Sequence, residues 1–125
     1  MDDHGHGTHV AGIIAMENNN VGGVGIAYKS KIMPIKAGGS DGTFNSTDIA
    51  KGIEYAYKNG ADVINMSFGS SAHSALIENA LQDAFNSCVL VAAAGNYRIP
   101  TADCPLGGQN TYPASYSYVI GVNGI

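Results

Sequence analysis

The sequence predicts an α/β fold: three layers, with a mostly parallel sheet and helices on both faces. Three observations carry this expectation. Short apolar runs alternate with longer amphipathic ones along the chain. The run 88–94 is apolar without interruption, the pattern of a central parallel strand. Two apolar runs end in polar or glycine-rich turns, at Ser67, Phe68 and Gly69 and at Ala94, Gly95 and Asn96. Open α/β sheets bind ligands beyond the carboxyl ends of their strands.

Residues 6–16 read as a helix. His6, Val10 and Ile14 share one row, and His9 and Ile13 the next. Gly7, Ala11, Gly12 and Ala15 are small enough for close packing on a sheet. Each glycine costs an isolated helix about 1 kcal/mol against alanine, so support must come from packing. Residues 17–25, with Asn18, Asn19, Asn20, Gly22 and Gly23, form a loop. Residues 31–36 read as a strand, although Pro34 removes one ladder donor. After a loop at 38–45, Ser46 or Thr47 caps a helix to about 59, with Ile49, Ile53, Ala56 and Tyr57 on one face. Gly60 is its stop signal. Residues 63–67 form a buried strand. Ser74 caps a helix to about 87, with Leu76, Ala80, Leu81, Ala84 and Phe85 facing inward. The strand at 88–94 precedes a long loop, 95–117, and a last strand at 118–122. Strand, helix, strand is the signature of parallel pairing through a crossover.

Length and composition suit one domain over 1–125. Hydrophobic residues make up 45% and charged residues 13% of 125, a globular composition. Six basic and ten acidic residues give a net charge of −4, and no basic stripe points to nucleic acid. No apolar run is long enough to span a bilayer, and no charged-then-apolar leader opens the chain. Cys88 and Cys104 fit either one bridge or two free thiols. The 17 glycines gather in loops and at the ends of apolar runs, where backbone can approach a ligand closely.

Two segments carry chemistry. The first holds His4, His6 and His9 around the start of the first helix. A histidine there can take a proton from a hydroxyl and return it. Three histidines within six residues also fit a small metal-binding α/β domain. In the second, Asn96 follows a buried strand and can aim its amide at a developing oxyanion. Gly-Asn after a strand is equally a simple turn.

The run His6-Gly7-Thr8-His9-Val10-Ala11-Gly12 is similar to the active-site histidine motif of the subtilisin-like serine proteases, a family that the chain resembles. Residues 62–69 resemble its substrate-binding strand and turn, and 91–96 the segment carrying its oxyanion asparagine. Tyr112-Pro113-Ala114 resembles a landmark near its specificity pocket. The resemblance implies a serine endopeptidase domain of subtilisin-like fold, truncated at both ends, in which His6 is the general base and Asn96 the oxyanion donor. Asp41, Gly42, Thr43, Ser67, Phe68 and Gly69 would pair with an extended polypeptide substrate. Ala93, Ala94 and Gly95 would line the pocket before the scissile bond. Glu17, Asn19, Val21 and Gly23 would contribute to a structural calcium site, although four oxygens fall short of the six to eight that calcium takes. The full-length protein is expected to be extracellular, with no membrane or nucleic-acid partner.

The family's catalytic aspartate and its Gly-Thr-Ser nucleophile segment have no counterpart in these residues. The chain alone is therefore expected to be inactive and marginally stable. The family's aspartate strand runs between the counterparts of 31–36 and 62–67, so its absence predicts either a gap or a direct pairing there. A peptide-binding pseudoprotease is the alternative within the family.

Overall fold

The computed structural model describes residues 2–95 and 110–123. Its elements run α1 (His6–Ala15), α2 (Ser46–Lys58), β1 (Val63–Met66), α3 (Ala75–Phe85), β2 (Val89–Ala93) and β3 (Ile120–Val122). The strands form one parallel sheet in the order β1-β2-β3. Val63 to Met66 pair in register with Val89 to Ala92, and Val91 to Ala93 with Ile120 to Val122. The expected central strand is thus central, and α3 is the crossover that makes β1 and β2 parallel.

Both packed helices start on side-chain caps. Asn45, extended at φ −111°, accepts the Asp48 N–H on Oδ1 at 2.8 Å. Ser46 and Thr47, expected as caps, already lie inside α2. Asparagine fits the cap because it accepts the N–H while its own backbone stays outside the helix. Ser74 caps α3 as expected, accepting the Ile77 N–H at 3.5 Å.

The core lies between these helices and one face of the sheet. Ile49, Ile53 and Ala56 of α2 and Leu81 and Ala84 of α3 pack with Ile64, Met66, Leu90 and Ala92. Cys88, Tyr116 and Val119 complete the cluster. Burying a side chain such as Leu81, Leu90 or Met66 fully contributes about 1.5–3 kcal/mol. The other face, with Val63, Val89, Ile120 and Val122, is open. Burial therefore alternates along β1 instead of covering both faces. Leu76 and Phe85 were expected to face inward but are half exposed, at 50% and 54%. They flank the α3 stripe that Leu81 and Ala84 centre, and Phe85 lies against Tyr118, ring centroids 5.5 Å apart.

Residues 31–36 form no strand, contrary to expectation. A strand exists only by pairing, and the ladder on β1 is made by β2 alone. The segment instead runs beside α2, where a Cβ on Gly52 would sit 3.1 Å from Ile35 Cγ2. The direct pairing expected as one outcome for this edge is not made among the described residues. Cys88 is a buried free thiol that donates to the Ala61 carbonyl at 2.9 Å, and Cys104 lies outside the described residues.

Candidate active site

His6 opens α1, the turn before it set by Gly5 in the left-handed region at φ +87°. None of the residues of α1 is buried. The helix is held at its ends instead. At the carboxyl end, Ile26 N and Ala27 N donate to Ile13 O and Ile14 O at 3.1 and 2.7 Å, and Gly25 N donates to Met16 O at 2.9 Å. At the amino end, the Asp2 carboxylate accepts from His4, Gly5 and Thr8. These bonds, led by those from Thr8, hold its carboxyl far below the ordinary carboxylate range. Asp3 forms an ion pair with Lys36, which lowers the Asp3 carboxyl and joins this turn to the 31–36 segment.

Asp41, Gly42 and Thr43 form a tight loop. Gly39 N donates to Thr43 O at 2.9 Å, while the Asp41 carboxylate accepts the Thr43 N–H at 3.0 Å and its hydroxyl at 2.7 Å. Those bonds, with a smaller effect of the His4 charge, lower the Asp41 carboxyl. Gly42 has φ +78°, and a Cβ there would lie 3.0 Å from His4 Nε2. Both conformation and space select glycine at this position. His4 in turn meets His6 edge-on, ring centroids 6.5 Å apart.

From this loop the contacts continue to the strand ends. Phe44, paired with Gly38 across the loop, stacks on Phe68 with centroids 5.0 Å apart. Ser67, Phe68 and Gly69 follow the last ladder residue of β1, and Asn65 Nδ2 donates to Ser67 Oγ at 2.9 Å. A Cβ on Gly69 would lie 3.6 Å from Ala93 O and closer still to Thr111. Ser70 pairs with Tyr112 through bonds of 2.9 and 2.8 Å, which seats the 111–114 segment beside the strand ends. Ala94 N donates to Val122 O at 2.9 Å, and Gly95 follows at φ +105°. Ring contacts, close approaches at Gly42 and Gly69, and neighbours along the chain therefore link His6, His4, Gly42, Phe44, Phe68, Gly69 and Ala93. Asn96 lies outside the described residues.

In the 17–23 loop, Asn19 Oδ1 accepts the Val21 N–H at 3.1 Å, and Glu17 O accepts the Asn19 N–H at 3.1 Å. Two of the four oxygens expected to face calcium thus already accept bonds within the loop. Each keeps a second lone pair, so the loop fits part of a coordination shell. Among the described residues, no three His, Cys, Asp or Glu side chains converge to hold a metal, which removes support for a centre at His4, His6 and His9. No described helix is long and apolar enough to cross a membrane.

Sequence reasoning missed three participants: Asp2 at the histidine turn, His4 against Gly42, and Phe44 against Phe68. A signal for the first was available. Gly5 has no side chain to cap a helix, so an upstream carboxylate was the nearest acceptor. The other two are contacts between distant segments, which no local pattern encodes.

A parallel sheet with helices packed on it places the chain among the α/β domains. The chain belongs to the subtilase family, whose sequence profile matches residues 1–125. It is 43% identical over 128 residues to a thermophilic serine proteinase of Bacillus sp. (strain AK1), covering 100% of this chain and 30% of that protein. It is 42% identical over 127 residues to subtilisin DY of Bacillus licheniformis, covering 99% of this chain and 44% of that protein. Among solved structures, sphericase aligns with a TM-score of 0.71 at 29% identity, over 83% of this chain and 34% of that one. A psychrophilic protease aligns with the same TM-score at 31% identity, over 82% and 33%. The expected subtilisin-like fold is confirmed. The chain spans less than half the length of these relatives.

Proposed function

We propose that this chain is the middle part of a serine endopeptidase domain, with His6 as its general base and acid. The observation that carries the reading is the line of contacts from His6 through the 41–43 loop to the strand ends at 67–69 and 93–95. It links a proton-transfer group, through intervening residues, to backbone able to receive an extended peptide. Residues 67–69 lie beyond the β1–β2 ladder and so offer an edge to substrate. Ala93, Ala94 and Gly95 suit an apolar pocket wall because they leave space. Asn96 is the donor for the oxyanion, in keeping with its place just after that wall. The nucleophile and the acid that orients the base belong to parts of the full-length protein outside these residues. The 17–23 loop contributes a share of a structural calcium site there, and the extracellular setting belongs to the same reading.

The test is casein cleavage by the full-length protein and its His6→Ala variant. Loss of general acid–base catalysis costs about 10²–10⁴-fold in kcat, so at least that loss is expected. The 125-residue chain by itself should release no product. A full-length protein that binds peptides without cutting them would give the pseudoprotease reading instead. Undiminished cleavage by His6→Ala would defeat the assignment of the base.

A further inference from the structure

A catalytic base needs a fixed mount. Proton transfer needs the imidazole within hydrogen-bond reach of its partner, and a misplacement of about 1 Å costs on the order of a hundredfold in rate. Gly7 and Gly12 weaken α1 as an isolated helix, so its start depends on bonds from outside it. The first turn of any helix also leaves N–H groups without acceptors, and Gly5 has no side chain to supply one.

The Asp2 carboxylate meets both needs. Its Oδ1 accepts from His4 N at 3.2 Å and Gly5 N at 2.9 Å. Its Oδ2 accepts from Thr8 N at 2.8 Å and Thr8 Oγ1 at 2.7 Å. Two donors precede His6 and two follow it, so one rigid group fixes the backbone on both sides of the histidine. Bonds from donors to an ionised acceptor are stronger than neutral ones. Among the described residues, no hydrogen bond joins Asp2 to the His6 ring. Asp2 is therefore not the acid that orients the imidazole directly.

We propose that Asp2, with the Thr8 hydroxyl as its partner, is a positioning residue that fixes the backbone bearing His6 for proton transfer. The proposal rests on the protease reading above. The lowered Asp2 carboxyl agrees with it, since the group stays ionised through any pH at which a neutral histidine acts as base.

The experiment uses the full-length protein with Asp2→Asn, Thr8→Val and Thr8→Ser. Rates are taken per active site, counted by titration with an active-site-directed ester, so that unfolded molecules drop out. Asp2→Asn and Thr8→Val should lower kcat by roughly ten- to a hundredfold, with KM within about twofold. Thr8→Ser keeps the hydroxyl and should restore kcat to near the wild-type value. A helix cap with no role in positioning would lower the melting temperature of both damaged variants and leave kcat per site unchanged, which overturns the proposal. Should Asp2→Asn fail to fold, the Thr8→Val and Thr8→Ser pair decides alone. A wild-type protein that cuts no casein would defeat the protease reading and this proposal together. A wild-type protein that cuts, with Thr8→Val equal to it, would defeat this proposal only.

Discussion

The histidine-bearing arm, residues 2–36, and the packed unit, residues 46–93 with 116–122, are held together by different forces. In the packed unit, α2 and α3 bury an apolar stripe against alternate residues of the sheet. Ile53, Leu81, Leu90 and Ala92 are all but closed to solvent. In the arm, no residue of α1 is fully buried: Val10, Ala11, Gly12, Ile14 and Ala15 are half-buried, and Ile13 is 58% exposed. Hydrogen bonds at its two ends set the helix in place. The difference bears on function. Apolar burial is additive and tolerant of small shifts, whereas end bonds are few and directional. The scaffold is robust, while the placement of the base depends on single contacts.

Substitutions on each side can separate the two. The largest expected effect is Leu81→Ala, which removes a fully buried side chain from the centre of the α2–α3 contact. A cost of about 2–5 kcal/mol is expected, visible in denaturant unfolding of the full-length protein as a lower midpoint with the slope unchanged. A smaller, local effect is expected from Gly25→Ala. A Cβ at Gly25 would lie 2.4 Å from Met16 N and 2.6 Å from Ala15 N, both backbone atoms that cannot step aside. The 25–27 segment should lift from α1, breaking the bonds from Gly25, Ile26 and Ala27. Hydrogen exchange should then speed up for those three amides and not for β2. Equal acceleration in β2 would show that the arm and the packed unit unfold as one.

The same contrast explains what the sequence revealed. The helices at 46–58 and 75–85 and the strands at 63–66 and 89–93 follow apolar periodicity, because packing on a core imposes that period. The ends of α2 and α3 shifted by a residue or two, since Asn45 competes with Ser46 and Thr47 for one cap. Residues 31–36 match a strand pattern in their apolar residues, but no described strand pairs with them. Strand pattern is local; pairing is not. At the site, His6, the 41–43 loop and the strand ends were legible as motifs. The Asp2 bonds, the approach of His4 to Gly42 and the Phe44–Phe68 stack were not, because they come from segments brought together by the fold.

Acid and alkali should also act on opposite regions. Asp2 and Asp41 have folded pKa values below the ordinary 3.8, so their folded forms hold the proton less tightly than the unfolded chain does. Their contribution is complete above that ordinary value and is lost as pH falls below it. Tyr116 has the opposite sign. Burial, with Glu78 nearby, raises its hydroxyl from 10.0 to about 12. A raised tyrosine favours the folded state below pH 10, and that contribution declines as pH rises from 10.0 towards about 12. Tyr116 belongs to the core cluster and is ringed by Tyr112, Tyr118 and His73. Its ionisation therefore strikes the packed unit, while protonation of Asp2 strikes the arm. Amide exchange in the full-length protein followed at low and at high pH, corrected for the intrinsic rate, should show the Gly5 and Thr8 amides losing protection first in acid. In alkali, β2 should weaken while the turn at His6 keeps its bonds to an ionised Asp2. Loss of protection in the same order at both extremes would mean that a single cooperative transition governs arm and core alike.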